Sequence, residues 1–237
     1  MRSLYVEPER PAELDWPALQ CRDVFKIFRS GPAETVALRG LDLRIERGEA
    51  VAAVGPSGSG KSTLLSLAAG LDEPSAGEVR AFGRPLVRLA EAELAHYRAT
   101  KLALVFQSDN LWPALSARDN VAIALRLARD TDSVNDRAAD ALAALGLGDR
   151  LRHRPSALSG GEQQRVAIAA AAARRAPLVL CDEPTGELDE RNEELVLQAL
   201  LRLRSDAGST VVVVTHSERV GAALDRVVEI RDGKARE

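Results

Sequence analysis

Residues 55–63 read GPSGSGKST, and Gly55 through Ser62 fit the spacing G-x-x-x-x-G-K-[ST]. Chemistry of a definite kind needs those residue types in that order. Glycines let successive backbone N–H groups turn inward around phosphate oxygens. The loop follows the apolar stretch EAVAAVG and precedes the helical STLLSLAAG, so the positive end of a helix adds to the anion site. Lys61 is placed to reach β and γ phosphates, and the Ser62 hydroxyl to ligate Mg²⁺. Gly55, Pro56, Ser57, Gly58, Ser59, Gly60, Lys61, Ser62 and Thr63 are therefore the expected cradle of a nucleoside triphosphate. A ligand-free glycine turn is the bland alternative, and the agreement of pattern with context disfavours it.

Three further positions stand at the ends of apolar runs. LVLCDEPTGELD carries Asp182 and Glu183 before a proline that stops the strand. Strand alternation would point them in opposite directions, with Asp182 suited to the metal and Glu183 to polarising an attacking water. Surface acids capping a strand are the competing explanation. His216 ends TVVVVTH and should emerge at the same sheet edge, poised for a γ-phosphate contact or for a structural hydrogen bond. Gln107 follows KLALVF in the same manner and suits a Mg²⁺ ligand, a water-orienting amide or plain polar surface.

A second glycine stretch, SALSGGEQQR at 156–165, opens a helix. Ser159 and Glu162 form the S-x-x-E capping box. That leaves Gly160 and Gly161 unexplained, since glycine in a helix costs about 1 kcal/mol relative to alanine. Their missing side chains would let an anion approach the free N–H groups at the helix start.

The elements that must hold these residues follow from pattern. β-like runs cover LQCRDVFKIF, ALRGLDLRI and EAVAAVG, separated by RSGPAE and ERGE turns. AEAELAHYRA reads as a helix and KLALVF as a buried strand. Within 109–155 two helices carry start signals, SARDNVAIALRLA with Ser116 as N-cap and SVNDRAADALAALG with Ser133 as N-cap and Gly146 as its end. Then come a helix over 161–174, the strand LVLCDE, a helix over 190–204, and the strands TVVVVTH and DRVVEIRDG. Strands alternating with helices predict an α/β fold with a mostly parallel sheet and ligand chemistry at the strand C-terminal ends.

Composition narrows the class. With 46% hydrophobic and 28% charged residues among 237, the chain can bury the core of one large domain. A formal charge of -3 argues against a generic nucleic-acid binder. The opening MRSLYVEPERPAELDWP lacks the basic end and apolar run of a signal peptide, so secretion is not expected. No apolar run approaches the roughly 20 residues of a membrane span, so membrane association should come through a partner. Cys21 and Cys181 sit in apolar strands, as reduced packed cysteines do.

Taken in order, GPSGSGKST, Gln107 in VFQ, LSGGEQQR, LVLCDEPTGELD and His216 in VVVTHS resemble the nucleotide-binding subunit of ATP-binding cassette transporters over about residues 18–233. Finer features, QSDNLWPALSARDNV among them, resemble the lipoprotein-release, macrolide-export and cell-division branch. The resemblance implies a P-loop ATPase core, residues 18–108 and 156–237, with an antiparallel β-subdomain and a helical subdomain over 109–155, behind an N-terminal lead of 1–17. It implies ATP and Mg²⁺ as ligands, with Ser62, Gln107 and Asp182 on the metal and Glu183, His216 and Gln107 in catalysis. Phe28 stands where an aromatic ring stacks on adenine.

The resemblance further implies a head-to-tail homodimer sharing two ATP molecules. Leu158, Ser159, Gly160, Gly161, Glu162 and Asp189 of one copy would face the nucleotide and loop of the other. Glu187 stands where related chains carry a small or amide residue. Residues 109–155 and the segment after Gln107 would receive a short helix of a membrane permease, placing the cassette at the cytoplasmic face of the membrane. Members of that branch either move substrates or transmit force without transport. Ribosome or DNA cassettes carry paired domains or large insertions, and neither feature is found; a non-catalytic regulator would lack Glu183 or His216.

Overall fold

A computed structural model describes residues 16–236 apart from Pro32 and Glu187. The reading of residues 1–15 of the lead and of Glu187 therefore lies outside the described residues. The chain builds two sheets. β1 (Leu19–Ser30), β2 (Ala33–Ile45), β4 (Ala76–Ala81) and β5 (Arg84–Pro85) form an antiparallel sheet ordered β2-β1-β4-β5. The larger sheet runs β10-β9-β3-β8-β7-β6, from β3 (Ala50–Val54), β6 (Leu102–Val105), β7 (Leu178–Asp182), β8 (Thr210–Val214), β9 (Arg226–Arg231) and β10 (Lys234–Arg236). All of its pairs are parallel except β9 with β10.

The central strands are apolar on both faces because both faces are covered. Ala50, Ala52, Val179, Cys181, Val211 and Val213 enter a core shared with the helices α3 (Ala117–Leu127), α4 (Val134–Ala144), α5 (Gly160–Arg174) and α6 (Glu190–Ala207). Their alternates Val51, Ala53, Leu178, Leu180, Val212 and Val214 enter a second core with α1 (Lys61–Ala68) and the antiparallel sheet. Both cysteines are free and buried, and burial pushes each thiol up to about 12. Among the described residues no helix is long and apolar enough to cross a membrane.

Several elements differ from the sequence reading. The stretch between α1 and α2 (Glu91–Thr100), which carries no apolar periodicity, holds β4, β5 and a 3-10 turn over Leu86–Arg88. β4 exists because it pairs with β1, from Leu19 opposite Ala81 to Phe25 opposite Ala76, a tertiary requirement that propensity does not show. α7 (Glu218–Ala223) and β10 are also unforeseen, being too short to carry a period. Ser116 caps α3 by accepting from the Asp119 N–H at 3.2 Å. Ser133 does not cap α4: its φ of 46° is left-handed and its side chain makes no capping hydrogen bond.

Candidate active site

Gly55 has φ +151°, and a Cβ there would lie 2.0 Å from the Ile230 carbonyl oxygen. Gly60 has φ +104°, and its Cβ would lie 2.6 Å from the Ala37 oxygen. Both positions thus demand glycine, on backbone angle and on space. Gly60 precedes α1 with no side-chain cap, so the first N–H groups of that helix stay available to an anion. Lys61 is buried and its Nζ donates to the Gly55 and Pro56 oxygens at 2.8 and 2.9 Å, pinning the loop's own carbonyls. Burial lowers its pKa, opposed by the charges of Glu183 and then Asp182. The acid pair therefore lies beside the glycine loop. Ser62 is exposed and Thr63 half-buried, while Ser59 is buried with an unpartnered hydroxyl oxygen. A cleft of about 420 Å³ opens here, lined by Arg39, Pro56, Ser57, Gly58 and Gly233 among others. Phe28 stands outside that lining, exposed on β1, with Lys26 Nζ 5.0 Å from its ring centroid.

Parallel register collects the other residues. Ala53 pairs with Val214, Val214 with Asp182, and Cys181 with Val105. The next one or two residues of each strand, Gly55, His216, Glu183 and Gln107, consequently emerge along one edge. Strand alternation does not govern the acid pair. β7 ends at Asp182, and Glu183 turns away with φ 46° while its N–H donates to the Val214 oxygen at 2.9 Å. Glu183 Oε2 accepts from the His216 N–H at 3.2 Å, and His216 Nε2 lies 3.2 Å from Oε1 without the alignment of a hydrogen bond. Oε1 is buried and has no hydrogen-bond partner. An unpaired buried oxygen costs about 1–3 kcal/mol, which favours a water or ligand there. Gln107, Gly160, Gln164, Glu183, Pro184, Gly186 and Leu188 enclose a space of about 20 Å³, and roughly 10–15 Å³ suffices for a water.

The second glycine stretch resolves residue by residue. The capping box forms, with Glu162 N–H donating to Ser159 Oγ at 3.2 Å and Ser159 N–H to Glu162 Oε2 at 2.9 Å. Arg150 Nε donates to Glu162 Oε1 at 3.0 Å. The Ser159 N–H and then Arg150 hold the Glu162 carboxyl below its ordinary pKa. A Cβ on Gly161 would meet Leu188 Cδ2 at 3.1 Å, whereas one on Gly160 would meet nothing within 4 Å. Packing inside the chain accounts for Gly161, whereas a side chain on Gly160 would stand in open space. Leu158, expected to face a second copy, is buried in the core and anchors the stretch instead, because an apolar residue just before a helix packs inward. Asp189, expected to reach across an interface, caps α6: Asn192 donates its N–H to Oδ1 and its amide to Oδ2, both at 2.8 Å.

Five polar residues were given no role from sequence. Gln164 and Asn110 hold the backbone next to Gln107; Arg165 bonds Asn192; Arg150 holds Glu162. Each lies in a loop or on a helix face without periodic signal, and only its partner, from 4 residues away for Asn110 to 58 for Gln164, reveals it. For Mg²⁺, no cluster of three or more His, Cys, Asp or Glu among the described residues could hold an ion by itself. A hydroxyl, an amide and one carboxylate beside a phosphate site fit Mg²⁺, which keeps waters and shares substrate oxygens.

The description of the ABC transporter family matches residues 38–186. This chain belongs to the ABC transporter family. It is 47% identical over 216 residues, 91% of the chain, to the macrolide export ATP-binding/permease protein MacB of Rhodopseudomonas palustris (strain HaA2), and 45% identical over 218 residues, 92% of the chain, to MacB of Azoarcus sp. (strain BH72). In each case it spans 33% of the relative's length. A solved structure titled "Dimeric structure of a post-hydrolysis state of the ATP-binding cassette MJ0796 bound to ADP and Pi" superposes with a TM-score of 0.88 at 38% identity, covering 92% of this chain and 97% of that one. The fold is that of an ABC cassette ATPase.

Proposed function

We propose that this ABC cassette hydrolyses MgATP as a head-to-tail dimer and drives a membrane permease docked on its helical side. The observation that carries the proposal is Glu183, which has a buried oxygen without a hydrogen-bond partner, lines a water-sized space, and acts by its charge on Lys61 of the glycine loop. Backbone N–H groups of residues 57–60, the start of α1 and Lys61 bind the phosphates, with Lys61 exchanging its loop carbonyls for phosphate oxygens. Mg²⁺, held through Ser62, Gln107 and Asp182, would neutralise charge on the phosphates. Glu183 polarises the attacking water, and the His216 backbone N–H fixes that carboxylate. Phe28 offers an exposed ring for adenine. Gly160, which carries no side chain and has open space where one would stand, leaves the start of α5 approachable by the nucleotide of a second copy. Contacts made by both copies favour the closed pair, and hydrolysis removes them.

Docking is supported by a groove of about 130 Å³ lined by Leu104, Leu111, Trp112, Ile123, Leu127 and Ala170. Trp112 and Leu127 are each 61% exposed, unusual for residues of that size. The chain would then sit at the cytoplasmic face of the membrane through that partner. Replacing Glu183→Gln should reduce phosphate release by about a hundredfold or more, as loss of a general base does, while ATP stays bound and size-exclusion chromatography with MgATP gives a dimer. Turnover at the wild-type rate, or only monomers with MgATP, overturns the proposal.

A further inference from the structure

The backbone just before Gln107 is gripped by two side-chain amides. Phe106 N–H donates to Asn110 Oδ1 at 2.8 Å, and Asn110 Nδ2 donates to the Phe106 oxygen at 2.7 Å, so one amide closes on both sides of a single residue. Gln164 Nε2, from α5, donates to the same Phe106 oxygen at 3.2 Å. Asn110 Nδ2 is also 3.2 Å from Gln164 Oε1 and ties the two amides together. Gln164 is buried, so breaking this network strands a polar group rather than handing it to solvent. Phe106 is otherwise outside any strand or helix, and its ring is exposed.

This network touches three places that must act together. Gln107 follows the gripped residue. Gln164 stands four residues along the helix that begins at Gly160, and both line the small space beside Glu183. Asn110 also lines the apolar groove with Leu111 and Trp112. The next stretch of that groove is rigid, because buried Asn120 accepts from the Trp112 N–H at 2.7 Å and donates to the Trp112, Leu115 and Ser116 oxygens.

We propose that Asn110 and Gln164 form an amide latch that positions Gln107 for hydrolysis. They are positioning residues, acting through Gln107. The latch rests on the ATPase reading above, and the test separates the two. In nucleotide-free protein, hydrogen exchange at the Phe106 amide should be about three- to tenfold faster in Asn110→Ala, the loss of one ordinary hydrogen bond. Unchanged exchange overturns the latch whether or not the protein hydrolyses ATP. Absence of phosphate release from wild-type protein overturns the ATPase reading alone.

For turnover, Asn110→Ala and Gln164→Ala should each lower kcat about tenfold with ATP affinity within about twofold, and the double variant should be no slower than either, as for residues that act as a unit. Additive losses, or losses in ATP affinity instead of kcat, overturn the proposal. Asn110→Asp guards against misfolding, since its carboxylate still accepts from Phe106 N–H but cannot donate. Phe106 exchange should stay slow in that variant while kcat falls as in Gln164→Ala; wild-type kcat there refutes the donor half of the latch.

Discussion

At the residue scale, the five residues after Gly160 show how a short stretch divides its work. Gly161 makes room for Leu188, Glu162 completes the capping box, Gln163 donates to the Pro155 and Leu158 oxygens, Gln164 grips Phe106 and Arg165 holds Asn192. A side chain on Gly160 would meet nothing within 4 Å among the described residues. Glu162 gives this arrangement a pH signature. Its folded pKa is depressed, so the folded state prefers the ionised carboxylate. That stability is present above the ordinary glutamate value of about 4.3 and lost as pH falls through the lower folded value. Glu162→Gln should therefore melt below wild type at pH 7, with the gap narrowing by pH 3; calorimetry at both pH values checks it, and a gap that widens on acidification refutes the assignment.

Element ends decide where helices can carry function. Both α3 and α4 begin at a serine, yet only Ser116 uses its hydroxyl, accepting from Asp119 N–H and donating to its carboxylate at 2.6 Å. Ser133 reaches a left-handed φ that gives its side chain no capping geometry. Ser116→Ala should cost about 1 kcal/mol, the usual worth of an N-cap, and Ser133→Ala only a few tenths. Urea unfolding of the two variants compares them directly, and equal losses would contradict the observed caps. The C-terminus of α5 is tied as firmly as its start, since Arg174 donates to the Arg98 and Ala99 oxygens at the end of α2.

At the scale of the whole molecule, the proposed function requires that the glycine loop and Gly160 serve one reaction only when two copies meet. Mixing two inactive variants tests this. Lys61→Ala lacks a working loop and Gly160→Asp blocks the open helix start. A mixed dimer pairs the intact loop of the Gly160→Asp copy with the intact stretch of the Lys61→Ala copy, restoring one complete site. An equal mixture should recover phosphate release to about a quarter of wild type if pairing is random and sites work independently. A site built within one copy gives no recovery.

The glycine loop, the capping box, the acid pair and His216 were legible in the sequence because their chemistry is local: a few adjacent residue types fix a turn, a cap or a strand end. So were the central strands, whose apolar runs report burial on both faces. Tertiary structure alone decided the rest. β4 exists through pairing with β1, Glu183 is aimed by a left-handed bend rather than by alternation, and Leu158 turns into the core. Likewise Asn110 and Gln164 carry no pattern of their own. They lie 54 residues apart, and their partnership arises only when β6 and α5 pack side by side, because a side-chain amide takes its meaning from what stands opposite it.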